Sequence, residues 1–182
     1  KRQGINHHVY FLGGNPYGYP TTMSLEKYLF THTVAGGDIA EFIKRSSQFR
    51  DNPKAAGVLP AIRPAYKAWV AKTVEHAEKN HWPKWVIEPF DEPAKWVHLR
   101  VFDHSPEGCI GSGEWIKWYF LDAVRLIHEG DPDAFVSVTV HHAEPGMPFI
   151  EAKGLAKPEL VSTNAIHEDH DLGKKIVEAG EV

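Results

Sequence analysis

Short apolar segments alternate with amphipathic segments along this chain, and this alternation constrains the fold more than any other feature. Segments rich in β-branched and aromatic residues predict strands, because such side chains suit a pleated surface, and turn residues follow them. The predicted strands cover residues 5–12, 85–90, 135–140 and 160–163, with a further short strand at 57–59. Strands that alternate with helices predict a parallel sheet with crossover connections.

Two segments have the residue spacing of strong amphipathic helices, 64–81 and 113–129. In the first, Tyr66, Val70, Val74 and Ala77 fall on one face, and Pro64 suits a first helical turn. In the second, apolar residues recur at the spacing i, i+3, i+4 and i+7 until Gly130. Further helices are predicted around 38–46 and at 171–179.

The length of the chain favours part of a larger α/β architecture. A complete (β/α)₈ barrel needs about 250 residues, whereas this chain has 182. We therefore predict a single α/β domain over residues 1–182, of the (β/α)₈ TIM-barrel type, that covers roughly half or more of a barrel. A small open α/β sheet is the alternative architecture, although no Gly-x-Gly-x-x-Gly or Walker motif supports a nucleotide-binding version of it.

Charge and composition argue against several classes of partner. The formal net charge is −4 and no basic run is present, so nucleic-acid binding is not expected. No apolar stretch approaches the ~20 residues that cross a bilayer, so no membrane partner is expected. Cys109 is the only cysteine, which excludes an intrachain disulfide and a cysteine-cluster zinc site. No cofactor is predicted.

Candidate site residues follow the predicted strands, because catalytic groups of parallel α/β folds gather at the carboxyl ends of strands. Aromatic rings near these positions suit sugar binding. The candidates are Asn15, Tyr17 and Tyr19 after the first strand, Asp91, Glu92 and Trp96 after the second, His141 and His142 after the third, and Asn164 after the fourth.

The sequence Asp91-Glu92-Pro93 is the sharpest chemical signal. A carboxylic acid with a raised pKa can protonate a leaving oxygen, and a neighbouring carboxylate can raise that pKa or orient a substrate. Cleavage of a glycosidic bond uses such a pair. A solvated turn is the alternative interpretation. Glu88 lies shortly before the pair, on the same strand face as Val86 and Phe90. It could be a buried acid that pairs with a Lys or Arg, or it could face a polar barrel layer, and we favour a structural role for it.

The segment 68–93 (AWVAKTVEHAEKNHWPKWVIEPFDEP) resembles the stretch before the catalytic site in glycoside hydrolase family 123 enzymes. Residues 1–6 and 174–182 resemble other parts of that barrel. The resemblance implies a (β/α)₈ hydrolase of β-linked N-acetylgalactosamine or a related sugar, in which the substrate's 2-acetamido oxygen is the nucleophile. Glu92 would then be the general acid/base, and Asp91 would orient the acetamido group, with no cofactor.

Three hypotheses follow for the function. The first is a glycoside hydrolase that acts on β-linked N-acetylhexosamine or related glycans, extracellular or periplasmic, with missing barrel segments or a flanking domain as partners. The second is a non-catalytic carbohydrate-binding barrel that uses Trp96, Tyr17 and Tyr19. The third is a metal-dependent hydrolase or isomerase that uses His141, His142, His167 and His170, since imidazole is a good ligand for zinc, nickel or iron.

Overall fold

The computed structural model describes residues 7–11, 25–50, 52–82, 84–89, 115–140 and 149–163, together with residues 174 and 178. Four strands lie in these ranges: β1 (His7–Phe11), β2 (Lys84–Glu88), β3 (Phe135–Val140) and β4 (Leu160–Thr163). Four α-helices accompany them: α1 (Leu25–Thr33), α2 (Ile39–Ser47), α3 (Arg63–Lys79) and α4 (Trp115–Gly130). Short 3₁₀ turns at Pro53–Ala55, Pro60–Ile62 and Gly154–Ala156 connect these elements.

The four strands form one parallel sheet whose spatial order, β1-β2-β3-β4, is the order of the chain. Val9 pairs with Val86, Ile87 with Val136, and Val138 with Val161. The predictions of these four strands are confirmed, and the bounds of β3 and β4 are those that were predicted. All carboxyl ends of the strands therefore lie along one edge of the sheet.

Helix α4 supplies much of the core, because its apolar side chains cover a wide part of the helix surface and pack against neighbouring elements. Tyr119, Phe120, Val124 and Ile127 are fully buried, and the Phe120 ring meets Phe149 edge to face at 5.3 Å. The side chains on one face of β3, Val136, Val138 and Val140, are also fully buried and belong to the same apolar cluster. The central helix and strand thus share one core.

Helix α3 runs as the periodicity predicted. Tyr66, Val70 and Ala77 are buried, and Val74 is half-buried. Pro64 lies in the first turn, where its missing N–H costs no hydrogen bond. The helix ends at Lys79, Asn80 follows as its C-cap, and the next residue, His81, takes a positive φ of 54°.

The segment 57–59 is not a strand, so that prediction was wrong. Val58 and Leu59 are buried, as strand residues would be, but the segment runs between two 3₁₀ turns. The backbone N–H of Val58 donates to the Asp122 carboxylate at 2.8 Å and not to a neighbouring strand. A side chain 64 residues away therefore satisfies the amide that a ladder would otherwise have used.

Among the helices of the described ranges, none is long and apolar enough to span a bilayer.

Candidate functional site

All nine predicted site residues lie outside the described ranges, so their positions stay predictions. They are Asn15, Tyr17, Tyr19, Asp91, Glu92, Trp96, His141, His142 and Asn164. The strands that lead to them are described. β3 ends directly before His141, β4 ends directly before Asn164, and β2 ends three residues before Asp91. Since the sheet is parallel, the chain leaves it toward each of these segments from the same edge.

A buried carboxylate marks that edge. Glu88, the last residue of β2, is 2% exposed. Its Oε1 accepts a hydrogen bond from the backbone N–H of Thr139 at 3.1 Å, and its Oε2 accepts one from the Ser137 hydroxyl at 3.1 Å. The Thr139 hydroxyl also donates to Oε2, at 3.4 Å. The structural role expected for Glu88 agrees with these contacts, because its side chain ties the end of β2 to β3.

The contacts of Glu88 begin where the ladder between β2 and β3 stops. Within the described strands, β2 pairs with β3 at two positions, Val86 with Phe135 and Ile87 with Val136. The Glu88 carboxylate then takes the amide of Thr139, which would otherwise need a backbone acceptor. The end of β2 is thus anchored to β3 by a side chain.

An imidazole and a carboxylate close the opposite edge of the sheet. His128, in the last turn of α4, is 5% exposed, and its Nε2 lies 3.2 Å from Glu159 Oε1. Its Nδ1 lies 2.8 Å from the carbonyl oxygen of Leu155. Glu159 also accepts the backbone N–H of Val136 at 2.7 Å. This pair joins α4 to the starts of β3 and β4.

The protonated form of His128 fits this site, because both ring nitrogens face oxygen acceptors and only imidazolium donates from both. The hydrogen bond to Glu159 raises the pKa of His128; burial opposes this rise, and the Leu155 carbonyl adds to it. Burial pushes the pKa of Glu159 upward, but hydrogen bonds from His128 and from Val136 outweigh burial and leave that pKa lowered. The pair is therefore charged at mildly acidic pH, between the ordinary pKa values of the two groups, 4.5 and 6.5.

A second buried carboxylate, that of Asp122, holds α4 to the start of α3 and to the segment before it. Asp122 on α4 accepts hydrogen bonds from Arg63 Nη1 at 2.6 Å and from Arg63 Nη2 at 3.2 Å, besides the one from Val58. Arg125 Nη1 lies 3.4 Å away. A Cβ added to Gly57 would lie 2.5 Å from Asp122 Oδ2, so the backbone there approaches the carboxylate as closely as only glycine permits.

Beside Asp122 lies a cleft of about 660 Å³, which we call the α4 cleft. Its walls come from three parts of the chain, namely residues 48–49 and 54–60 with Arg63, the residues Trp118, Leu121, Asp122 and Arg125 of α4, and Glu151, Ala152 and Ala156. No strand residue of the described sheet lines it. Sequence reasoning missed this cleft, since its walls come together only through contacts between residues about 60 positions apart, such as Arg63 with Asp122.

Within the ranges that the structure describes, no three His, Cys, Asp or Glu side chains form a group that could hold a metal ion. The four histidines of the metal hypothesis, His141, His142, His167 and His170, lie outside those ranges.

Comparisons of this chain with protein-family models, with curated proteins and with solved structures found no match.

Proposed function

We propose that this chain is the catalytic α/β domain, or a large part of it, of a glycoside hydrolase of the (β/α)₈ type. Its substrate class is a glycan with a β-linked N-acetylhexosamine. Asp91 and Glu92 carry the chemistry, and Asn15, Tyr17, Tyr19, Trp96, His141, His142 and Asn164 contribute to sugar binding. The basis for the pair is the Asp-Glu-Pro sequence after a buried strand and its resemblance to family 123 enzymes.

The strand order supports the proposal more than any other observation. In a (β/α)₈ barrel each strand lies beside the next one in the chain, whereas a doubly wound sheet reverses its order at a switch point. The four strands described here are all parallel and keep the order of the chain. A catalytic pair placed just beyond β2 would then belong to the face of the barrel on which active sites occur.

Glu88 adds a physical reason why this position suits catalysis. A catalytic carboxyl group must be held within a fraction of an ångström by groups that are themselves fixed. The buried Glu88 anchors the end of β2 to Ser137 and Thr139, three residues before Asp91. The proposed pair would thus extend from a fixed strand end.

In the mechanism that the resemblance implies, the Glu92 carboxylic acid donates its proton to the glycosidic oxygen as the C1–O bond breaks. The substrate's acetamido oxygen forms a bond to C1 from the opposite face, and Asp91 accepts a hydrogen bond from the acetamido N–H. The ionised Glu92 then removes a proton from water, which attacks C1 and releases the acetamido oxygen. Each proton given in the first step is recovered in the second.

The test is the hydrolysis of 4-nitrophenyl N-acetyl-β-galactosaminide by the full-length gene product and by its Glu92→Gln variant. The amide has nearly the same shape as the carboxyl group but can neither donate a proton nor remove one from water. Because 4-nitrophenolate leaves without a general acid, the second step, which needs a base, carries the loss, and we expect kcat to fall by roughly 10²–10⁴-fold. Glu75→Gln, an exposed position on α3, is the matched control and should leave kcat unchanged. Unchanged turnover in Glu92→Gln would remove Glu92 from the mechanism. Calorimetric binding of N-acetylgalactosamine without any hydrolysis would replace the hydrolase with the non-catalytic carbohydrate-binding barrel.

A further inference from the structure

The α4 cleft has the size and the rigidity of a small-molecule site. Pockets for small ligands commonly measure about 300–1,000 Å³ and are largely pre-formed, and this one measures about 660 Å³. The wall at 57–58 is held to α4 by the Val58 amide and by the close approach of Gly57 to Asp122. Arg63 holds the same carboxylate from the start of α3. Contacts in the protein interior, rather than a surface loop, therefore set the shape of the cleft.

Part of the inner surface of the cleft is apolar. Phe49 and Leu121 are 6% and 8% exposed, and the half-buried Trp118 also lines the cleft. Small residues, among them Ala55 and Ala156, leave the space between these side chains open. A ligand with a compact hydrocarbon or aromatic body would remove this surface from water, which is favourable in proportion to the area covered.

The rim of the cleft carries positive charge that no carboxylate in the described ranges fully neutralises. Lys54 is exposed and makes no ion pair with any residue in the described ranges. Arg125 uses one of its five N–H donors, at 3.4 Å, on a carboxylate that already binds Arg63 and Val58. Glu151 contributes one carboxylate on the facing segment. Since Arg63 and Asp122 pair with each other, the charged lining residues left among those the structure describes are Lys54, Arg125 and Glu151. Two cations against one anion favour a ligand with a single negative charge.

We propose that the α4 cleft binds a small amphipathic carboxylate, with its apolar body against Phe49, Leu121 and Trp118 and its carboxylate at Arg125 and Lys54. The observations behind this site do not depend on the proposed hydrolase, because they involve none of the proposed catalytic residues and no strand residue of the described sheet lines the cleft. A guanidinium matches a carboxylate with two parallel N–H donors, so Arg125 is the main anchor and Lys54 a secondary one.

The experiment is a ¹⁹F NMR titration of the full chain with 4-(trifluoromethyl)phenylacetate, and with 2-[4-(trifluoromethyl)phenyl]ethanol as the neutral probe of similar shape. We expect saturable binding of the carboxylate and at least fivefold weaker binding of the alcohol. Arg125→Gln should weaken the binding of the carboxylate probe by roughly tenfold, which is the equivalent of one charge-assisted hydrogen bond. Glu151→Gln should tighten the binding of the carboxylate probe by roughly threefold, because a negative charge that repels the probe is removed from the rim.

Two further variants assign the binding to this cleft. Ala55→Phe places a ring at the exposed mouth and should abolish binding, with circular dichroism melting to verify that the variant is folded. Lys72→Gln removes an exposed cation on α3 that does not line the cleft, and should leave the affinity unchanged. The proposal is overturned if the carboxylate does not saturate, if a folded Ala55→Phe variant still binds it, or if the Lys72 and Arg125 variants lose affinity equally.

Discussion

Replacing Asp122 by Asn tests whether this carboxylate holds the helices together. An asparagine side chain can keep its oxygen toward the Val58 amide and Arg63 Nη1, but its NH₂ group then faces Arg63 Nη2 and Arg125, which are also donors. Breaking a buried ion pair costs about 3–5 kcal/mol. The Arg63 side chain is 30% exposed, so water recovers part of this cost. We expect the free energy of unfolding to fall by about 2–3 kcal/mol.

The assay is urea unfolding followed by tryptophan fluorescence, with the slope m compared between variants to verify that both unfold the same structure. Asp133→Asn removes an exposed carboxylate and is the matched control, for which a change within about 0.5 kcal/mol is expected. Arg63→Met combined with Asp122→Asn should cost less than the sum of the single variants, because both remove one interaction. A loss in Asp122→Asn no larger than that of the control would refute the reasoning.

Three other perturbations give further checks. Glu159→Gln removes the charged partner of His128. Because folding raises the pKa of His128 above its ordinary 6.5, protonation of His128 stabilises the fold fully below pH 6.5. This contribution is lost as the pH rises through the pKa of the folded state. Because folding lowers the pKa of Glu159 below its ordinary 4.5, ionised Glu159 stabilises the fold fully above pH 4.5. This contribution is lost as the pH falls through the pKa of the folded state. The stability gap between wild type and Glu159→Gln should therefore be widest between about pH 4.5 and 6.5, and a gap that is flat with pH would contradict the pairing. Gly57→Ala should lower the melting temperature, since overpacking costs about 1–3 kcal/mol; an unchanged melting temperature would show that the backbone is not held there. Glu88→Ala leaves the Thr139 amide without its acceptor, so its hydrogen exchange should accelerate by at least tenfold, whereas the same rate in both proteins would mean that Glu88 is not its partner.

Elements whose local pattern matches their burial could be predicted from the sequence. Four of the six residues of β3 are β-branched, and α3 and α4 have a clear apolar stripe. These three elements therefore lie where the sequence pattern predicted them, to within two residues. Helix α1 was not recognised, because Glu26 and Lys27 are buried within it, at 1% and 4% exposed. Their polarity hides the apolar periodicity on which the prediction relies.

Long-range contacts account for the remaining differences. Val58 has the apolar character of a strand residue, but the Asp122 carboxylate takes its amide, and no local pattern reveals that contact. The α4 cleft depends on the same interaction. Strand alternation predicted a structural role for Glu88, and its burial and its hydrogen bonds to Ser137 and Thr139 agree with that role, whereas the sequence did not reveal these partners.

A crystal structure of the full-length protein with N-acetylgalactosamine bound tests the central claim most directly. The account predicts that the carboxyl groups of Asp91 and Glu92 line one cleft at the carboxyl edge of the strands, together with His141 and Asn164, and that the sugar lies within hydrogen-bonding distance of both carboxyl groups. Asp91 and Glu92 pointing into bulk solvent, with no cleft beside them, would contradict the proposed hydrolase.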